Sequence, residues 1–102
     1  MNYIMSVQLL PQHPSQSKSY SYIDSSIDII ENSGLTHFVG PMETTIEGDI
    51  DELLNLVKKL NSHLNEEGCD SVITNIKLVQ SNEKVAIKDI LQDYYEFDDE
   101  EE

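Results

Sequence analysis

The stretch Gly40-Pro41-Met42-Glu43-Thr44-Thr45-Ile46-Glu47-Gly48-Asp49-Ile50-Asp51-Glu52 decides how this chain is read. Gly40-Pro41 is a turn dipeptide: Gly admits unusual φ angles and Pro fixes φ near −65°. Thr44-Thr45-Ile46 is β-branched throughout, which favours extended backbone. Gly48 breaks that strand. Asp49-x-x-Glu52 then fits a capping box with Asp in place of Ser or Thr. The stretch therefore predicts a strand exit, a tight connection, a second short strand and the start of a long helix. Glu43, Thr44, Thr45 and Glu47 fall on a hairpin held between two rigid elements, a favourable place for binding.

The elements on either side follow from periodicity. Asn2 to Leu10 alternates as a strand, with Tyr3, Met5, Val7 and Leu9 on one face and Ile4, Ser6, Gln8 and Leu10 on the other. The Pro- and Ser-rich loop from Pro11 to Ser19 follows, with Ser17 or Ser19 as the expected N-cap of a helix running to about Ser33. Ile23, Ile27 and Ile30 give that helix its apolar stripe, and Gly34 ends it. Leu35 to Val39 reads as a short strand. A second helix spans Ile50 to about Glu67, with Leu53, Leu56, Val57, Leu60 and Leu64 as its buried stripe. Ser71 to Val79 is the last strand. Ser81 or Asn82 is positioned to cap a third helix carrying Ile87, Ile90, Leu91 and Tyr94, and the charge run Asp98 to Glu102 is expected to be disordered.

The order β-α-β-β-α-β plus a terminal helix predicts an α+β fold: a ferredoxin-like antiparallel sheet with both helices on one face. Residues 1–95 form one domain and 96–102 an acidic tail. Two helices cover one face of such a sheet. The other face, with Ile4, Leu10, Ile73 and Val79 among polar residues, is too apolar to leave in water, so a homo-oligomer is expected.

With 20 acidic residues against 6 lysines and no arginine, the net charge is −14. Nucleic acid and anionic membrane surfaces are poor partners for such a chain. Phosphorylated ligands are disfavoured too, because the bidentate phosphate clamp is an arginine property. A neutral or cationic partner suits this charge, although a surface charge of this size also serves plain solubility. Cys69 is the single cysteine, which fits a reducing compartment, and no apolar run reaches the ~20 residues needed to span a bilayer. A cytoplasmic protein is expected.

Several motifs together resemble the small thiamine-binding protein family, ferredoxin-like proteins long catalogued as uncharacterised. They are Leu10-Pro11, the Ser-rich helix entry, Ser33-Gly34-Leu35, Pro41-Met42-x-Thr44-x-Ile46-Glu47-Gly48, Gly68 and Val72-x-Thr74-x-Ile76-Lys77-Leu78. The match runs from about Tyr3 to Tyr94. Many members carry Gly where this chain has Glu43, and an Asp and an Arg where it continues Leu78-Val79-Gln80-Ser81. The resemblance implies a small non-catalytic protein that binds thiamine or its hydroxymethylpyrimidine half. It also implies assembly as a dimer of dimers, with pockets near subunit interfaces.

Residue chemistry is compatible with that ligand. A thiazolium cation calls for a carboxylate, which Glu43 and Glu47 supply. An aminopyrimidine calls for a donor and an acceptor, available from Thr44, Thr45, Ser17, Ser19 and Asn75. If Ile46 points into the core, alternation places Thr45 and Glu47 on the opposite face, with Asn75 in the same sheet. Each residue also has a purely structural job. Glu47 sits near a helix N-terminus, the threonines suit a strand, the serines cap a helix and Asn75 suits an interface. His13, His37 and His63 lack metal-ligand spacing, and Cys69 reads as a small buried residue. No Ser-His-Asp arrangement or Gly-rich phosphate loop is present, so an enzyme is not expected. The competing reading is an acidic protein-interaction module with no small-molecule ligand.

Overall fold

The central hairpin and its flanking helix form as the sequence dictates. In the computed structural model, residues 2–12, 15–40 and 42–81 are described, with the side chains of Asn2, Gln16 and Ser81 excepted. The elements are β1 (Asn2–Pro11), α1 (Gln16–Asn32), β2 (His37–Val39), β3 (Thr44–Gly48), α2 (Ile50–Glu66) and β4 (Val72–Ser81). The predicted third helix and the acidic tail lie outside the described residues. The four strands form one antiparallel sheet in the order β2-β3-β1-β4, the ferredoxin-like arrangement.

Alternation assigns the faces. Tyr3, Met5, Val7 and Leu9 of β1 and Ile46 of β3 meet α1 and α2, where Ile30, Leu53, Leu56 and Leu60 complete the main core. Tyr22, Leu64 and Cys69 form a second, smaller cluster at the end of α2. On the opposite face Ile4 is buried, whereas Leu10, Ile73 and Val79 are exposed.

Three expected details shift. Ser15, not Ser17 or Ser19, caps α1, accepting a hydrogen bond from the Lys18 amide at 3.3 Å from an extended backbone. Tyr22, Ser26 and Ile30, four residues apart, form the most buried line of the helix, with Ile23 and Ile27 half-buried beside it. β2 is also shorter than expected, because its pairing with β3 stops at His37 opposite Ile46. β4 runs two residues further, to Ser81, because its ladder with β1 continues to Asn2. The α2 cap is as read: Asp49 accepts from the Glu52 amide at 2.9 Å, and the Asp49 amide donates back to the Glu52 carboxylate at 3.3 Å.

Candidate functional site

A mismatch in strand length creates the site. β1 pairs with β3 only from Tyr3 to Val7, yet with β4 it continues through Pro11. Beyond Val7, β1 therefore has a neighbour on one side only, and the β2–β3 connection stops short beside it. The connection is closed by the Gly40 amide donating to the Glu43 carbonyl at 2.9 Å. A Cβ on Gly40 would sit 2.9 Å from that same carbonyl oxygen, so the turn is this tight only with glycine.

The notch holds a cavity of about 120 Å³ between α1, β1 and the connection. Val7, Ser26, Ile30 and Thr44 are buried in its wall, and Met42 and Glu43 stand at its rim. Thr44 lies opposite Val7 on the helix-facing side of the sheet and is 7 % exposed, and its hydroxyl makes no hydrogen bond to another described residue. Ser26 is 1 % exposed and donates to the Tyr22 carbonyl at 2.9 Å, which leaves its oxygen able to accept. Sequence reading missed Ser26, because a serine on an apolar helix stripe signals nothing until the opposite wall is known.

Glu43 reaches across the sheet end to β1, where the Ser6 hydroxyl donates to its Oε1 at 2.5 Å. Ser6 belongs to the open face of the sheet, so this bond draws the carboxylate to that face, at the edge of the notch. Gln8, also lining the notch, accepts from Asn75 Nδ2 at 3.1 Å, so Asn75 orients a wall residue from β4. Thr45 and Glu47 point to the face away from the helices, in register with Ser6 and Ile4. The structure thus brings Glu43 and Thr44 into one cavity and joins Asn75 to it through Gln8. Thr45 and Glu47 lie on the adjoining open face. Ser17 and Ser19 sit in the first turn of α1, outside the lining; Ser17 exchanges a 3.1 Å hydrogen bond with Ser15.

A larger open groove of about 790 Å³ follows the outer seam of α1 and α2, along Lys58, Lys59, His63 and Glu66. None of its lining residues is buried, so it offers a ligand no desolvated contact. Among the described residues no group of three His, Cys, Asp or Glu side chains is placed to hold a metal ion. Cys69 is buried and donates to the Ser71 carbonyl at 3.2 Å. No described helix is long and apolar enough to cross a membrane.

Comparison with known proteins extends this geometry. A family model described as "Thiamine-binding protein" matches residues 5–94. A UPF0045 protein of Clostridium perfringens is 45 % identical over 74 residues, 72 % of this chain and 77 % of that one. A Bacillus cereus structure described as a domain of unknown function, DUF77, superposes with a TM-score of 0.84 at 33 % identity, covering 93 % of this chain and 91 % of the other. A Thermotoga maritima protein, provisionally named for thiamine biosynthesis or salvage, superposes with a TM-score of 0.85 at 23 % identity. The alignment covers 93 % of this chain and 100 % of that one. At that identity the likeness is one of fold.

Proposed function

The chain belongs to the thiamine-binding protein family, and from that membership we propose that it binds thiamine or its hydroxymethylpyrimidine half at the notch beside the β2–β3 connection. The observation that supports this most directly is the anchored carboxylate. Ser6 holds the Glu43 carboxylate on the open face of the sheet at the edge of the notch, where a fixed negative charge attracts a thiazolium, and the apolar wall of the notch receives a flat ring. The mechanism is equilibrium binding, as a carrier, buffer or sensor, with no bond made or broken. A chain with no arginine suits unphosphorylated thiamine better than its diphosphate. The proposed setting is the cytoplasm.

The proposed assembly is a homo-oligomer, a dimer of dimers. β4 is a ten-residue edge strand. Ile76 and Leu78 on its helix side and Ile73 and Val79 on its other side are all exposed in the single chain. A long apolar edge of this kind is ordinarily covered.

The test is a thermal-shift series with thiamine, its monophosphate, its diphosphate and hydroxymethylpyrimidine, followed by calorimetry. Ligand at 100 times its Kd adds ~2.7 kcal/mol to the folded state. In a domain of this size that raises Tm by on the order of 10 °C. A shift with thiamine but not the diphosphate is expected, and incubation should leave thiamine unconsumed by chromatography. If no compound produces a shift, the proposal fails and the acidic interaction module takes its place.

A further inference from the structure

We propose that the open groove along the outer seam of α1 and α2 is the seat of this chain's own acidic C-terminal run, Glu96-Phe97-Asp98-Asp99-Glu100-Glu101-Glu102, held by Lys58 and Lys59 with Phe97 against Ile29. The proposal is independent of the ligand site in the notch.

Charge selects the occupant. Six of the seven residues from Glu96 to Glu102 are acidic. Among the described residues there are four lysines, and two of them, Lys58 and Lys59 of α2, line this one groove. Both are exposed, and neither forms an ion pair with another described residue. The other two are placed elsewhere: Lys18 stands 5.6 Å from the centre of the Tyr22 ring, and Lys77 lies on β4 opposite Ser6. Glu66 is the one acidic residue of the lining. In a chain of net charge −14, the paired lysines thus mark where an acidic segment finds cations that no other described residue engages.

Shape and reach agree with this. The groove is open and about 790 Å³, with no buried lining residue, which suits a segment of chain lying along it better than an enclosed small molecule. Ile29 is half-buried in its wall, and the lysine stems add apolar surface, so the groove also has a place for the one aromatic ring of the run. The seam itself is fixed. Ser25 Oγ donates to the Tyr22 carbonyl at 3.0 Å, so the 2.9 Å bond joining α1 to α2 is donated by His63 Nε2 to the Ser25 oxygen. β4 ends at Ser81 opposite Asn2, and Tyr3 lies opposite Gly48, two residues before α2 begins. The chain therefore leaves the sheet at the end from which α2 starts. Along α2 the groove lies about 8 to 24 Å from Ile50, from Asn55 to Glu66. Phe97 is sixteen residues beyond Ser81. That is roughly 50 Å of extended chain, or roughly 30 Å if most of it is helical as the periodicity predicts. Either length reaches the groove. Exposed ion pairs are individually weak, but the covalent link sets an effective concentration on the order of millimolar, at which several weak contacts suffice.

The experiment is zero-length carbodiimide cross-linking of the full chain at low ionic strength, followed by peptide mapping. An equal mixture of unlabelled and ¹⁵N-labelled protein separates links within one chain from links between two. Lys58 or Lys59 should join to a carboxylate of residues 96–102 at least about fivefold more often than Lys18 or Lys77 does, with both halves of each linked pair carrying the same label. The yield should fall at least about threefold in 0.5 M salt, and Phe97→Ala should roughly halve it. A full-length E96Q/D98N/D99N/E100Q/E101Q/E102Q variant should shift the backbone amide resonances of Ile29, Lys58 and Lys59 relative to wild type, and leave those of Lys18 and Lys77 in place. Links spread evenly over the four lysines, or none at all, would overturn the proposal. Links between differently labelled chains would move the docking to a second copy and overturn it as stated. Unchanged resonances at Lys58 and Lys59 in the amide variant would do the same.

Discussion

In the proposed site, Glu43 depends on its support. Its carboxylate is placed by one hydrogen bond from Ser6, a residue 37 positions earlier, and by a turn that closes only because residue 40 is glycine. Ser6→Ala should therefore weaken thiamine binding by several-fold to about tenfold, the latter ~1.4 kcal/mol. The Ser6→Ala/Glu43→Gln double variant should cost little more than the larger single change, because both remove the same contact. Calorimetry of the four proteins checks this; full additivity would separate Ser6 from the site. Gly40→Ala, which would crowd the Glu43 carbonyl, should lower both Tm and affinity, whereas Gly34→Ala should lower Tm alone. Gly34 has φ +80° but open space around its Cβ position, and it lies at the far end of α1.

The two helices have different jobs. α2 is the clamp of the core: its cap is a complete capping box, and Leu53, Leu56, Leu60 and Leu64 are buried along one line. Asp49→Ala should cost about 1 kcal/mol, read as a lower urea midpoint with unchanged slope. Leu60→Ala should cost ~2–5 kcal/mol. α1 gives part of its buried face to the cavity, where Ser26 takes a place that a larger apolar residue would fill. The junction of the helices adds a pH dependence. Burial, then the negative charges of Cys69, Asp70 and Glu67, hold the Tyr22 phenol above its ordinary pKa. The folded chain thus keeps a proton that the unfolded chain releases from about pH 10 upward, so stability should fall as pH rises through that range. Urea melts between pH 8 and pH 11 should show the decline, and Tyr22→Phe should flatten it.

At the scale of the whole molecule, charge and edge oppose each other. The −14 net charge opposes the approach of a second copy, whereas the proposed oligomer rests on the exposed apolar β4 edge. Sedimentation should therefore show tighter self-association as salt rises toward 0.5 M. Leu78→Lys should shift the protein toward monomers, and a wild-type monomer at every salt concentration would refute the oligomer. The same field should make thiamine affinity fall with salt while the neutral pyrimidine is unaffected.

The sequence by itself determined the topology, because helix and strand periods, the Gly-Pro turn and the Asp49–Glu52 cap are local and agree with one another. It also determined the faces: placing Ile46 in the core was enough to send Thr45 and Glu47 to the other side. Its hairpin reading pointed to Glu43 and Thr44 as candidates. Only the tertiary structure decided that these two share a cavity, that Ser6 anchors one, that Ser26 faces the other, and that Ser17 and Ser19 stand outside the lining. The physical reason is the register of β1. It outruns β3 by four residues, and the notch left there joins residues from four elements that no local pattern connects.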